Sequence, residues 1–321
     1  MINGVTVTGL YYEAPTTTNA NATGWWISTS TQNKFARVVS MKNNGQVIAE
    51  LAATSGYLTV PTGTARTLQR LQGTSLDLQL ELDAPLSATL RIISSTDTAT
   101  YSQYVTQWLP LGAASGTAWS TFCPHPYAAG DGTNSLPEYM IPVAGANWQL
   151  DGSRTDGAGR IQLSCTHDMV GGCIRWGYEP FGARNTPTGL VSAAAMRNTH
   201  QACTRMKRAD FCGTGDPTTT VNASPVMQTR IQLWDTHGIY AEGMQTADSM
   251  EAHWAPNGAS CVNRGAWRTD DTVAVQRFND QLRICDYLPS CTDLDASKDG
   301  GLVSSGHEII AVGSTGTGST N

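Results

Sequence analysis

Five side chains in this 321-residue sequence stand at spacings that could do chemistry: His200, Cys203, Asp210, Asp235 and His237. His200 and Cys203 stand three residues apart in an Ala-rich run, so on a helix they share one face. With Asp210 following, this is the composition of a cysteine nucleophile, an imidazole base and a carboxylate that orients the base. Asp235 and His237 are two residues apart, which on a strand puts both on one face as a His/Asp dyad. A structural reading competes with each. Cys203 is one of an even number of cysteines, which favours reading it as half of a disulfide, with Cys212 as a candidate partner. His200 is then a hydrogen-bonded core residue. Asp235 is the residue type that caps a strand by turning, and a turn is the preferred reading there. The hydrolase signatures G-x-S-x-G and H-E-x-x-H are absent, and no C-x-x-C exists to hold zinc.

The element that must position the first group is a helix. Pro187 breaks the chain, Thr188 can cap, and a helix is expected over about Leu190 to Arg208. Met196, His200, Cys203 and Met206 form its buried face. Arg197, Arg205, Lys207 and Arg208 take the other faces or the last turn, where cations suit the helix dipole. Gly213 supplies the stop. Residues 229–235 and 250–254 read as strands. A second helix starts at Asp270, buries Val275, Phe278, Leu282 and Cys285, and ends at Pro289.

The eight cysteines are Cys123, Cys165, Cys173, Cys203, Cys212, Cys261, Cys285 and Cys291, and all are disulfide candidates. In a loop-rich chain they imply an oxidising compartment. Neighbours in sequence give Cys165–Cys173, Cys203–Cys212 and Cys285–Cys291 as candidate pairs. Asp295, Ser297 and Asp299 followed by Gly300 match the opening of a calcium loop, but position twelve is Gly306 and Glu308 comes two residues late. Calcium is the one candidate cofactor, against an ordinary surface turn.

Two blocks, CIRWGYEPFG at 173–182 and HQACTRMKRADFCG at 200–213, resemble the ADYC domain, a family of secreted or surface proteins. Its signature Ala-Asp-Tyr-Cys corresponds to Ala209, Asp210, Phe211 and Cys212. WDTHGI at 234–239 and EAHWAPNGASC at 251–261 are also similar, so the resemblance spans roughly residues 160–291. Phe211 lacks the tyrosine hydroxyl, so no role of that hydroxyl carries over. The resemblance implies a fold unit and an extracellular or surface location, and no reaction.

The rest of the chain reads as mainly β with a smaller α+β part. Residues 1–120 are expected to form a β-sandwich or barrel. Leu76, Leu78, Leu80 and Leu82 alternate with polar residues, further strand-like runs follow at short spacing, and Asn43-Asn44-Gly45 is a hairpin signal. Trp25 and Trp26 are a core pair or an exposed recognition surface. Residues 121–160 read as a loop-rich connection and 161–295 as a disulfide-rich α+β domain built on the long helix. Residues 296–321 are a polar, Gly-rich tail interrupted by a strand-like run at 308–312.

Charged residues make up 14% of the chain, against a usual level of about 25%. The net charge is -6 and no Lys/Arg-rich run exists, which argues against nucleic-acid binding. No apolar stretch approaches the ~18 residues of a transmembrane helix. Met1-Ile2-Asn3-Gly4 lacks the basic and apolar regions of a signal peptide, so a leader removed from a longer precursor is expected. These features favour a secreted structural or adhesive protein that self-assembles into a layer or filament. The alternative is an extracellular hydrolase using the His, Asp or Cys residues above.

Overall fold

The computed structural model describes residues 9–13, 24–28, 33–43, 45–48, 52–62, 67–70, 76–82, 87–110, 112–123, 139–148, 152–166, 168–215, 227–230, 233–240, 250–263, 285–291, 302–305 and 308–311. In the first half the strands are β1 (Gly9–Glu13), β2 (Gly24–Ser28), β3 (Asn33–Asn43), β4 (Gln46–Ile48), β5 (Ala52–Thr54), β6 (Tyr57–Thr62), β7 (Thr67–Arg70), β8 (Leu76–Leu82), β9 (Ser87–Asp97), β10 (Ser102–Pro110), β11 (Ser120–Thr121), β12 (Met140–Trp148) and β13 (Arg154–Cys165). The second half carries α1 (Met169–Arg175), β14 (Arg184–Thr186), β15 (Gly189–Val191), α2 (Ala193–Arg208), β16 (Met227–Arg230), β17 (Leu233–Asp235), β18 (Met250–Ala255), β19 (Gly258–Val262), β20 (Leu302–Ser305) and β21 (Glu308–Ala311).

Of sandwich and barrel, the sheet is a barrel. Antiparallel pairing runs β10–β12–β13–β1–β2–β3–β8–β9, and β9 pairs back onto β10. Eight strands therefore close on themselves, with β4 and β11 attached to β3 and β10. Closure removes the free edges that an open sheet would expose. The seam is narrow: β10 meets β12 only where Tyr104 faces Met140. Gly45, at φ 80°, turns the chain from β3 into β4 with Asn43 opposite Gln46, as the Asn-Gly signal predicts.

The stretch expected as a loop-rich connection holds two barrel strands, β12 and β13. Their alternation is broken by Pro142 and by Gly145, which sits at φ 77° where the β12–β13 register shifts. A bulge of this kind adds a residue to one strand and re-phases its faces, which hides the period from a sequence reading. The barrel side therefore runs to Cys165, and β13 leads directly into α1.

Helix α2 packs against α1 and against the sheet β17–β20–β18–β19. One core holds Cys173, Cys203, Met206, Phe211, Leu233, Trp254 and Val262; the Phe211 and Trp254 rings lie 4.8 Å apart. Burying side chains of this size stabilises by about 2 kcal/mol each. A second core joins Ile141, Val143 and Trp148 of β12 to Met169, Val170 and Ile174 of α1. It fastens the barrel to the helices.

The helix starts later than expected. Residues 189–191 pair with 184–186 as a hairpin, and Ser192, not Thr188, is the N-cap, its Oγ accepting from Ala195 N. The stop also differs. Ala209 takes the left-handed conformation at φ 51°, and its N–H donates to Arg205 O and Met206 O. Gly213 has another use: a Cβ there would stand 1.8 Å from Asn257 O. Gly258, at φ 121°, returns the approach from the other side, and Ala259 N donates to Phe211 O at 2.7 Å. Two of the sequence blocks thus meet backbone to backbone, which only glycines permit.

The run at 308–312 pairs within the chain, β21 with β16. The expected second helix from Asp270 lies outside the described residues up to Cys285. Among the described residues no helix is long and apolar enough to cross a membrane.

Candidate functional site

The four disulfides are Cys123–Cys165, Cys173–Cys203, Cys212–Cys285 and Cys261–Cys291, and no cysteine is free. None of the three neighbour pairings occurs. Cys165 and Cys173 flank the start of α1 but project to different partners; Cys203 reaches sideways to α1 while Cys212 reaches past the helix end. The Cys203 nucleophile is thereby overturned in the oxidised protein, because its sulfur is bonded to Cys173. Four disulfides are consistent with an extracellular protein.

His200 is fully buried. Its Nε2 donates to Val170 O at 3.1 Å, which fixes the neutral tautomer, and its ring meets Trp148 edge-on at 5.2 Å. Among the described residues its Nδ1 has no partner. Burial pushes its pKa down to about 3, with the Arg154 charge acting in the same direction. Asp210 does not orient it: ten residues of helix and cap separate them, roughly 15 Å of rise.

The far end of α2 carries its cations in the last turn, as expected, but is buried all round. Arg205, Lys207 and Arg208 are at most 5% exposed. Each has acceptors. Arg205 pairs with Asp210 at 2.5 Å and donates to Pro256 O at 3.3 Å. Lys207 Nζ donates to Asp168 O at 2.9 Å and lies 4.6 Å from the Trp176 ring centroid. Arg208 donates to Gly215 O. Gly172 makes this possible, since a Cβ there would meet Lys207 Nζ at 1.8 Å. Asp168 caps α1, accepting from Gly171 N at 2.7 Å and Cys165 N at 2.9 Å. Burial raises its pKa to about 7, opposed by those amides and by Lys207. Burial likewise raises Asp210, opposed first by Arg205.

Asp235 is the centre of a turn. Its carboxylate accepts from His237 N at 2.7 Å, Ile239 N at 3.2 Å, Tyr240 N at 2.7 Å and the Tyr178 hydroxyl at 3.0 Å. It therefore holds the backbone of His237 rather than its ring. The imidazole turns away, with Nε2 2.9 Å from Thr199 Oγ1, and burial lowers its pKa while Asp235 opposes the shift. Thr199 Oγ1 lies 3.0 Å from Ala195 O and can donate there, which leaves a lone pair for the ring N–H.

Asp295, Ser297 and Asp299 lie outside the described residues. Glu308 lies in β21 opposite Arg230. Elsewhere, the ligand atoms of His253, Cys261 and Cys291 lie within 4.8 Å of one another. Both sulfurs belong to one disulfide, so the oxidised group offers a metal no thiolate.

One concavity was not foreseen from the sequence. Glu179, Phe181, Gly182, Ala183 and Arg184, in and just after the first resemblance block, face Ser55 and Tyr57 and the turn Ala99–Thr100 across a space of about 260 Å³. The sequence carried no specific signal for it: CIRWGYEPFG was singled out only as a block of the resemblance.

The family model described as ADYC domain matches residues 69–268. It thus begins in β7, in sequence between barrel strands β3 and β8 and well before the blocks that carry the resemblance. No curated protein and no solved structure matches the chain.

Proposed function

The chain belongs to the ADYC domain family, and from that premise we propose that it is a secreted, disulfide-stabilised surface protein with a structural or adhesive role that works as a self-assembling unit. One observation carries the reading. Four of the five side chains suited to catalysis are committed to holding the fold: Cys203 in a disulfide, His200 on Val170 O, Asp210 on Arg205, and Asp235 on a turn; the fifth, His237, has lost Asp235 as a partner for its ring and meets Thr199 Oγ1 instead. A general base needs access to a substrate proton and a pKa near the working pH, and His200 has neither. The hydrolase alternative loses its cysteine version first and its His200 version next. Low charge and an oxidised framework suit a unit packed against copies of itself outside the cell.

The tail needs no neighbour to satisfy its strand, because β16 already pairs with β21. Self-association in this reading therefore does not require an exchanged strand. Sedimentation velocity over a range of concentrations, with negative-stain microscopy of the same samples, tests it. Ordered oligomers or filaments are expected. A protein that remains monomeric at every concentration would overturn self-assembly.

A further inference from the structure

The space between the barrel turns and the segment after α1 has the chemistry of a ligand site. Its volume, about 260 Å³, falls just below the ~300–1,000 Å³ of sites for drug-sized ligands, leaving room for about one six-membered ring with substituents. Glu179 lines it with a carboxylate 9% exposed. Oε1 pairs with Arg184 at 3.0 Å, whereas Oε2 is buried and among the described residues has no partner. Buried acceptors are almost always satisfied, so a missing donor at a cavity wall points to a ligand.

Charge narrows the class. Glu179 and Arg184 already neutralise each other, so a neutral ligand enters without leaving an uncompensated charge. A cation or an anion would have to split the pair. Arg184, one-third exposed, is the side that can shift to let a donor reach Oε2. Ser55 and Thr100 add hydroxyls to the lining; Tyr57 and Phe181 add aromatic rings. Phe181 is braced against Tyr101, with ring centroids 6.2 Å apart, and Gly56 makes room for it, since a Cβ there would meet its ring at 2.8 Å. Hydroxyl donors for a carboxylate, guanidinium donors for ring oxygens and an aromatic face for C–H groups together describe one ligand class.

We propose that this pocket binds a single neutral sugar ring, as the terminal unit of a glycan, with Glu179 and Arg184 as its polar clamp and Phe181 as its platform. The proposal deepens the adhesive reading above and rests on it for its biological setting only.

The test is saturation-transfer NMR on the full chain with methyl glycosides of glucose, galactose, mannose and N-acetylglucosamine, and with choline and benzoate as cationic and anionic probes. Saturable binding of at least one glycoside is expected. Ala183→Phe, at an exposed lining position, should fill the pocket and reduce affinity about tenfold or more with the fold intact. Glu179→Gln should do the same where its thermal transition shows that it folds. Binding of none of the four glycosides, affinity unchanged in Ala183→Phe, or preference for the charged probes would each overturn the proposal. A folded protein that self-assembles but ignores sugars removes the pocket alone; a sugar-binding monomer removes the assembly alone.

Discussion

Asp210→Asn isolates what the signature aspartate does. The substitution keeps the size of the side chain and removes its charge, while Arg205 stays only 5% exposed and still donates to Pro256 O at 3.3 Å. Removing one half of a buried pair costs about 3–5 kcal/mol, because the other charge stays desolvated. Asp210 Oδ2 also accepts from Gly215 N at 3.1 Å, a bond that the amide oxygen of Asn can keep in only one of its two orientations. In a chain of this size, unfolding as one unit, a loss of 1 kcal/mol lowers Tm by roughly 1.5 °C, so a fall of roughly 4–8 °C is expected. Burial raises the Asp210 pKa even with Arg205 beside it. Holding the pair charged is therefore costly, and losing both halves should hurt less than the two single losses combined. The assay is denaturant unfolding of Asp210→Asn, Arg205→Met and the double variant with disulfides intact. A coupling of at least about 2 kcal/mol is expected, and one below about 0.5 kcal/mol would refute the argument that the pair acts as a unit.

His200, with a folded pKa near 3, contributes stability that is present above its ordinary pKa and lost as pH falls from there through about 3. His200→Gln keeps a donor for Val170 O and should flatten the acid limb by up to about 1.4 kcal/mol per pH unit in denaturant melts; an unchanged limb would contradict its burial as a neutral ring. Asp168, raised to about 7, has the opposite sign: its contribution is full below the ordinary carboxylate pKa and is lost as pH rises through about 7. Asp168→Asn should then show less loss of stability between weakly acidic and neutral pH than the native chain, and an unchanged slope by the same melts would count against that shift. Met196 is fully buried, so Met196→Asp should cost about 3–5 kcal/mol, and a change within about 0.5 kcal/mol would show the face is open. Replacing Cys212 and Cys285 together opens a span of 73 residues, and calorimetry should record a loss of about 2–4 kcal/mol.

Much of the architecture was legible where periodicity was clean. The alternating leucines of β8 and the Asn-Gly turn after β3 could be read directly, as could the helical spacing from Met196 to Met206. Closure of the barrel could not, since it depends on one pairing between Tyr104 and Met140 that no local pattern encodes. The disulfides were misassigned for a related reason. Sequence proximity favours short loops, but here the partners are set by which elements lie side by side, α1 with α2 and β19 with residues 285–291. Lys207 and Arg208 could be placed in the last turn of the helix, but not their burial, because the Lys207 acceptor, Asp168 O, arrives through the fold from 39 residues away. Glu179 carries no motif of its own, and only the cavity beside it and an unsatisfied oxygen mark it.

The claim that the potentially reactive residues of this chain serve its framework is tested most directly by counting thiols. Protein recovered without reductant is alkylated in denaturant, digested, and mapped by mass spectrometry. The account predicts no alkylated cysteine and crosslinked peptides joining Cys123 to Cys165, Cys173 to Cys203, Cys212 to Cys285 and Cys261 to Cys291. An alkylated Cys203, or a crosslink from it to any residue other than Cys173, would contradict it and return the cysteine to the list of nucleophiles.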